Sequence, residues 1–339
     1  MSEPGQSAES VGTGSELVCP AGTPAALHAA VDAGAHAIYV GLQDDTNARN
    51  FPGLNFSPRE LQDARAYTRF RGAKLFLAIN TFARAGGLAP WHNALALAND
   101  LGVDAAIVAD LGVAAHAAKH YPDLRLHLSV QAGASNPAAI AFYQRHFNVR
   151  RVVLPRVLTL AEVERLTQAV TVETEVFVYG GLCVMAEGRC ALSSYCTGQS
   201  PNMQGVCSPA SHVSYRDEPA AMVSRLGDFT INRFAPDEPA GYPTLCKGRF
   251  RVGTVTDYVF EDPVSLNADA LLPALVAAGV QGFKIEGRQR SRAYVSQVVG
   301  AFRAALDALS AGQPMPVQAL AALSEGGTQT QGAYQRRWQ

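Results

Sequence analysis

The chain has 339 residues, of which 48% are hydrophobic and 17% are charged, and its formal net charge is −1. A chain of this length and apolar content can bury a large core, which excludes a disordered scaffold and fits one large α/β domain. The near-zero net charge provides no overall basic field for nucleic acid or anionic lipid. Small ligands or a protein partner are therefore expected.

The first fifteen residues are rich in Gly, Ser and Glu and contain neither a basic start nor an apolar run. This composition predicts a disordered tail over residues 1–15 and not a secretory signal. No stretch approaches the roughly 20 apolar residues that span a bilayer, so no transmembrane segment is expected. Six cysteines in so long a chain do not resemble a small disulfide framework. We therefore expect a reducing, cytoplasmic location.

Short apolar strands alternate with helical patterns along the chain. Helix starts with capping-box sequences, such as Ser57 to Glu60 and Thr159 to Glu162, lie between them. Strands that are apolar throughout indicate burial on both faces, and eight such units predict a TIM-like (β/α)8 barrel. A doubly wound open sheet is the alternative, because a strand count from one sequence can be off. The eight strands are predicted at residues 17–20, 37–42, 74–80, 105–110, 125–131, 151–156, 174–180 and 282–286.

The connection between the seventh and eighth predicted strands is unusually long. It holds roughly 100 residues, whereas an ordinary crossover needs a few tens. An insertion must fill it. We therefore divide the chain into the tail, the first seven βα units (16–182), a cysteine-bearing insertion (183–264), and the last βα unit with a C-terminal tail (265–339).

Five of the six cysteines lie within 64 residues, at Cys183, Cys190, Cys196, Cys207 and Cys246. Thiols concentrated in a loop after a strand indicate metal or cluster ligation. Four thiolates suit either tetrahedral zinc or an iron-sulfur cluster, so the ligand type alone does not decide between them. Structural zinc sites usually pair cysteines two to four residues apart, and no such pair occurs here. The spacing therefore favours a cluster over zinc and over unliganded buried cysteines.

Polar residues follow the predicted strands at their C-terminal ends. Barrel enzymes carry their chemistry at this end of the barrel. The alternative for each residue is a purely structural role, as a loop cap or as a partner in an internal ion pair. The candidates, in chain order, are Asn47, Arg49, Asn80, Asp110, Gln131, Arg156, Glu286 and Arg288.

Residues 175–193 read EVFVYGGLCVMAEGRCALS and resemble the signature of the collagenase-like peptidase family, with Gly181 where Ser or Ala is usual. The match continues at residues 19–22 (CPAG), 241–249 (GYPTLCKGR) and 284–288 (KIEGR). Together these segments resemble the ubiquinone-biosynthesis branch of that family, the UbiU-like proteins, over essentially residues 16–339.

The resemblance implies a [4Fe-4S] cluster on Cys183, Cys190, Cys207 and Cys246, with Cys19 and Cys196 left over. It also implies oxygen-independent hydroxylation of the aromatic ring of a polyprenylphenol, a ubiquinone precursor. The expected partner is a UbiV-like sister protein in a heterodimer, and the expected oxygen donor is prephenate. No nucleic-acid partner is expected.

A dicarboxylate donor requires cationic groups, and planar guanidinium groups suit carboxylates best. We therefore assign Arg49 and Arg156 to substrate binding, and Glu286 and Arg288 to catalysis, with Glu286 as an orienting group or a general acid/base. The residues assigned to neutral hydrogen bonds with substrate are Asn47, Asn80 and Gln131.

Two other function classes stay open, an RNA hydroxylase of the same superfamily and a peptidase or zinc scaffold. His116 and His120 have the spacing of metal ligands on a helix but lack the glutamate of the zinc-protease motif, so an exposed helix face is predicted. Basic residues at 145, 150 and 151 predict a solvated helix end and not a nucleic-acid stripe.

Overall fold

The computed structural model describes residues 14–317 and 319–335. Eight parallel strands form a closed barrel, because the first strand pairs with the last and the last also pairs with the seventh. The predicted (β/α)8 barrel is thereby confirmed. The barrel strands are β1 (Glu16–Pro20), β2 (Ala37–Gly41), β3 (Lys74–Ile79), β4 (Ala105–Val108), β5 (Leu126–Leu128), β6 (Val149–Val153), β7 (Glu173–Gly181) and β14 (Gly282–Ile285).

Helices cover the outside of the barrel and begin where the sequence predicts. The Ser57 side chain accepts a hydrogen bond from the Glu60 backbone N–H at 3.3 Å, and the Glu60 carboxylate accepts one from the Ser57 N–H at 2.9 Å. Thr159 and Glu162 form the second capping box. The outer helices are α1 (Pro24–Asp32), α2 (Pro58–Phe70), α3 (Ala89–Asp100), α4 (Leu111–His120), α5 (Pro137–Phe147), α6 (Leu160–Ala169), α9 (Leu272–Ala277) and α10 (Arg292–Ser310).

Besides α9, the long connection between β7 and β14 contains two short helices, a three-stranded antiparallel sheet and a hairpin. Strand β13 then pairs antiparallel with the end of β7, and β15 pairs with β13. Its elements are α7 (Leu192–Thr197), α8 (Pro201–Gln204), β8 (Val213–Glu218), β9 (Ala221–Leu226), β10 (Phe229–Phe234), β11 (Arg249–Val252), β12 (Val255–Tyr258) and β13 (Ser265–Asn267), followed after α10 by β15 (Gln329–Thr330).

The predicted N-terminal tail lies outside the described residues except for positions 14 and 15, which carry no regular structure. The last residues of the C-terminal tail, 336–339, also lie outside them. Its preceding part docks on the barrel, because the Tyr334 hydroxyl donates to the Phe177 carbonyl at 2.7 Å. Among the helices of the described ranges, none combines the length and the apolar character that a bilayer crossing requires.

The half-buried His116 packs between two other imidazoles. Its ring stacks on His92 of α3 with centroids 3.6 Å apart and on His120 with centroids 4.3 Å apart. Partial burial and these two neighbours lower the pKa of His116. The face predicted to be exposed therefore contributes to the contact between α3 and α4.

Charged side chains of β1, β6, β7 and β14 are buried inside the barrel, and the more exposed Lys74 and Arg125 pair with carboxylates of this set. Arg151 is the centre of this set. Its side chain is only 5% exposed, and its guanidinium contacts Glu16 at 2.5 Å, Glu173 at 2.6 Å and Glu175 at 3.1 Å. The prediction of a solvated basic cluster was therefore wrong for Arg151, which alternates to the inner face while Arg150 faces solvent. We call the connected set the barrel ion network: Glu16, Lys74, Arg125, Arg151, Glu173, Glu175 and Lys284.

Candidate active site at the barrel mouth

A cavity of about 50 Å³ opens at the C-terminal ends of the barrel strands, with room for a few water molecules. Six of the seven predicted non-cysteine site residues line it, because parallel strands bring their carboxyl ends to one rim. These six are Arg49, Asn80, Gln131, Arg156, Glu286 and Arg288. The cavity is also lined by three residues that no sequence pattern indicated: Tyr39, Phe177 and Lys284.

Asn47, the seventh predicted residue, is fully buried and supports Arg288 from behind. Its side-chain oxygen accepts a hydrogen bond from Arg288 Nη1 at 2.6 Å and from the Arg49 backbone N–H at 3.1 Å. Its amide nitrogen donates to the Leu42 carbonyl at 3.0 Å. Asn47 therefore positions the two arginines and does not itself line the cavity.

Arg288 is the cation of the cavity that lacks an acidic partner within the described part of the chain. Burial lowers the pKa of Arg288 to about 10, which still leaves the guanidinium charged at neutral pH. Its Nε–H is buried and has no hydrogen-bond acceptor among the described residues. A buried, cationic and incompletely bonded guanidinium at a cavity wall favours an anionic ligand.

Arg49 and Glu286 form a loose pair beside Arg288. Arg49 Nε lies 3.6 Å from Glu286 Oε1, and Glu286 Oε2 accepts a hydrogen bond from the Gly181 N–H at 3.2 Å. Burial alone would raise the pKa of Glu286, but Arg49 and Arg156 lower it below the ordinary value. Glu286 is therefore ionised at neutral pH, which suits an orienting group or a base and not an acid.

Arg156 fastens the cysteine-bearing loop to the end of β6. Its Nε donates to the buried Glu187 carboxylate at 2.7 Å, and its Nη1 donates to the Gly181 carbonyl. Its guanidinium also lies 4.4 Å from the centroid of the Phe177 ring. Since Glu187 stands between the first two predicted cysteine ligands, Arg156 holds the loop in place as well as lining the cavity.

Asn80 links the loop after β2 to the end of β5. Its side-chain oxygen accepts from the Ala48 backbone N–H at 3.0 Å, and its amide nitrogen donates to Ser129 Oγ at 3.3 Å. These contacts keep the loop that carries Arg49 at the rim of the cavity.

The insertion touches the barrel mouth at two glycines with positive φ. A Cβ at Gly188 (φ 76°) would lie 1.9 Å from the Gln131 carbonyl oxygen, and one at Gly205 (φ 82°) would lie 2.1 Å from the Asn47 carbonyl oxygen. Only glycine permits both the left-handed backbone and the close approach. The cysteine loops are therefore packed directly against the strand ends.

Gly188→Ala is expected to lower the free energy of unfolding by more than the roughly 1–2 kcal/mol that a left-handed alanine costs, because its methyl group would collide with the Gln131 carbonyl. Urea denaturation measures the change. Gly198→Ala is the matched control, since Gly198 also has a positive φ (69°) but no atom within 4 Å of an added Cβ. Equal effects of the two substitutions would show that the contact with Gln131 contributes nothing.

The four predicted cluster ligands are electrostatic neighbours. Burial raises the pKa of Cys246 to about 12, and negative charge at Cys183, Cys207 and Cys190 adds to this. Burial alone raises the pKa of Cys196. The Cys246 thiol is thus influenced by charge at Cys183, Cys190 and Cys207, whereas Cys196 shows no such influence, and the four-cysteine cluster site stays a prediction.

The four thiols also border the cations of the cavity. Burial would lower the pKa of Arg49, but negative charge at Cys207, Glu286 and Cys183 raises it. Negative charge at Cys183 likewise raises the pKa of Arg156. A set of thiols flanked by arginines fits, in its chemistry, a thiolate-ligated anionic cluster. This fit is one of chemistry and not of arrangement, because within residues 14–317 and 319–335 no group of three or more His, Cys, Asp or Glu side chains is arranged to hold a metal ion.

A closed (β/α)8 barrel with charged side chains around a cavity at the carboxyl ends of its strands is the architecture of a barrel enzyme. Residues 22–335 match the profile of Peptidase family U32, and the chain belongs to this family. The collagenase-like family resemblance in the sequence is thereby confirmed, whereas its ubiquinone-biosynthesis branch stays a prediction.

Three relatives are proteins of RNA hydroxylation. The chain is 31% identical to tRNA hydroxylation protein P of Escherichia coli (strain K12), over 91% of this chain and 71% of that protein. It is 29% identical to tRNA hydroxylation protein P1 of Bacillus subtilis (strain 168), over 87% of this chain and 64% of that protein. It is 29% identical to the 23S rRNA 5-hydroxycytidine C2501 synthase of Escherichia coli (strain K12), over 87% of this chain and 39% of that protein. The chain therefore spans only part of each relative, and their names weigh against the expectation that no nucleic acid is bound.

Proposed function

We propose that this protein is a hydroxylase that works without dioxygen and takes oxygen from a carboxylate donor whose acid group binds at the mouth cavity. The observation that carries the proposal is Arg288, a buried cation at the cavity wall with an unbonded Nε–H and no acidic partner among the described residues. Family membership and the relatives named for hydroxylation support the same reading.

The donor carboxylate is held by Arg288 and Arg49. Guanidinium groups bind carboxylates through parallel N–H donors, which fixes orientation as well as charge. Glu286 turns Arg49 toward the cavity and, being ionised, repels a second carboxylate from its own side. This asymmetry orients an anionic donor with its acid group toward Arg288.

Cys183, Cys190, Cys207 and Cys246 would hold the [4Fe-4S] cluster. When bound, such a cluster supplies redox or Lewis-acid chemistry. The raised pKa of Cys246 and of Cys183 means that both thiols must lose protons on ligation. Arg49 and Arg156 offset the negative charge that ligation creates.

We propose prephenate as the donor, a polyprenylphenol precursor of ubiquinone as the acceptor, and a UbiV-like sister protein as the partner in a heterodimer. The support is the motif set at residues 19–22, 175–193, 241–249 and 284–288. A ring hydroxylase needs access for an aromatic acceptor, and the cavity is bordered by the rings of Tyr39 and Phe177.

RNA is the second candidate acceptor. The observation that favours it is the identity to relatives named for tRNA and rRNA hydroxylation over 86% or more of this chain. The same cavity and donor would serve, and only the acceptor would differ.

Heavy-oxygen-labelled prephenate tests both candidates in one experiment. Protein purified without air, together with the sister chain, is given the labelled donor and either a polyprenylphenol or total tRNA and rRNA. Mass spectrometry of the products should find the label in the phenol ring. Label in a nucleoside would select the RNA candidate, and unlabelled products in both arms would refute the donor.

Arg288→Gln should weaken donor binding by about 10- to 100-fold, because a hydrogen bond to a charged group contributes about 1.5–3 kcal/mol. Isothermal titration with prephenate measures the loss. Arg251→Gln removes an exposed guanidinium from the β11–β12 hairpin and serves as the control. Unchanged binding in the Arg288 variant would remove this residue from the donor site.

A further inference from the structure

Lys284 is a buried amine at the wall of the mouth cavity, and it has no role in the donor site as described above. It lies on β14, its side chain is 6% exposed, and it lines the cavity together with Arg288. Its Nζ donates to Glu175 Oε1 at 2.7 Å and lies 3.9 Å from the centroid of the Tyr39 ring. A primary amine is thus fixed in place next to the proposed carboxylate-binding arginine.

The surroundings of Lys284 favour its neutral, nucleophilic form more than an exposed lysine would. Burial lowers the pKa of Lys284, Glu175 opposes this, and Arg288 and Arg151 add to the lowering. The net direction is downward even with a carboxylate at hydrogen-bond distance. Desolvation and adjacent cations are the two devices that activate lysine as a nucleophile toward carbonyl groups.

We propose that the cavity binds 2-oxo acids and that Lys284 Nζ forms an imine with the ketone carbon while Arg288 holds the neighbouring carboxylate. The inference rests on the proposed carboxylate-donor site and names the chemical class of its ligand. Carboxylate and ketone are adjacent in a 2-oxo acid, and Arg288 and Lys284 line the same cavity.

The step balances without an oxidant or reductant. Lys284 passes one ammonium proton to Glu175 Oε1, which accepts its hydrogen bond, and the neutral amine then forms a C–N bond to the ketone carbon. The carbonyl oxygen takes one proton from the attacking nitrogen and the other back from Glu175, and it leaves as water while a protonated C=N bond forms. Addition of water reverses the sequence and releases the acid unchanged.

Borohydride trapping with pyruvate tests the proposal on the full chain. Hydride reduces an imine to a secondary amine, so the pyruvyl group becomes permanently attached to the lysine. The sequence has four lysines, Lys74, Lys119, Lys247 and Lys284, and peptide mapping by mass spectrometry distinguishes them. We expect a single adduct, on Lys284, and none with lactate, which has no ketone.

Lys284→Arg should abolish the adduct while keeping a cation in the cavity, and Lys119→Arg, on the exposed face of α4, should leave it unchanged. The wild-type peptide map decides the question even when the Lys284 variant fails to fold. An adduct confined to the other three lysines, or no adduct on folded wild-type protein, overturns the proposal.

The outcome of the labelled-prephenate experiment does not depend on the outcome of borohydride trapping. Hydroxylation without a pyruvate adduct would remove the imine and leave the hydroxylase proposal standing. An adduct on Lys284 in a protein that hydroxylates neither acceptor would support the 2-oxo acid site and remove the hydroxylase proposal.

Discussion

Serine at Cys183, Cys190, Cys207 or Cys246 should strip most of the iron and acid-labile sulfide from protein purified without air. Each substitution removes one of the four proposed thiolate ligands, and charge at the other three raises the pKa of Cys246, which supports the assignment. Loss of a ligand from a four-thiolate set opens one iron site to solvent and lowers the affinity for the whole cluster. Iron and sulfide per chain, with the visible absorption of the protein, measure the effect.

Cys196→Ser is the matched control, because Cys196 lies in the same insertion but its pKa responds only to burial. Its iron and sulfide content should equal that of the wild type. If one of the four variants keeps the cluster and the Cys196 variant loses it, Cys196 is a ligand in place of the cysteine changed in that variant. Zinc in protein that has never met air would end the cluster proposal.

Arg151→Met should lower the free energy of unfolding by about 3–5 kcal/mol, the usual cost of removing one partner from a buried ion pair. Arg151 contacts Glu16, Glu173 and Glu175 inside the barrel. Without the guanidinium these carboxylates face each other in a site of low polarity. Urea denaturation of wild type and variant at neutral pH gives the difference.

The same substitution carries a signature in pH. Burial raises the pKa of Glu16 and Glu173, but Arg151 and other cations lower both below the ordinary value. Carboxylates with lowered pKa stabilise the fold above their unfolded pKa, near 4.3, and this contribution fades as pH falls through the folded pKa. The difference between wild type and variant should therefore be largest at neutral pH and should narrow in acid.

Arg150→Met provides the control from the adjacent position of β6, whose side chain faces solvent. An exposed substitution of this kind changes stability by less than about 0.5 kcal/mol. Similar losses from both substitutions, or a loss at Arg151 that does not depend on pH, would contradict the ion-network interpretation.

The residues predicted at the strand ends lie at the cavity because closure of the barrel brings the strand ends together. Arg49, Asn80, Gln131 and Glu286 follow different strands, and closure of a parallel barrel brings all these strand ends to one mouth. Once strand count and direction are known, no contact need be predicted individually. Position after a strand does not predict the role of a residue. Asn47 and Arg156 both follow strands, but Asn47 accepts a hydrogen bond from Arg288 and Arg156 donates one to Glu187.

The charged residues of the cavity and the barrel ion network that the strand-end pattern did not predict lie inside strands and not after them. Lys284, Glu175 and Arg151 each interrupt an apolar strand with a charge. A charged side chain on the inner face of a barrel must meet an opposite charge, because an isolated one is too costly to bury. Pairing such interruptions between neighbouring strands was the signal that could have found them.

The sequence by itself determined the alternation of strand and helix, the long seventh connection and the concentration of thiols within it, because each is a local pattern along the chain. Only the tertiary structure decided which strand-end residues line the cavity, which arginine is left without an acid among the described residues, and which lysine reaches the cavity. These depend on distances between residues as far apart in the sequence as Asn47 and Arg288, which are separated by 241 positions. Closure of the barrel sets such distances, and no pattern within a short stretch of sequence records them.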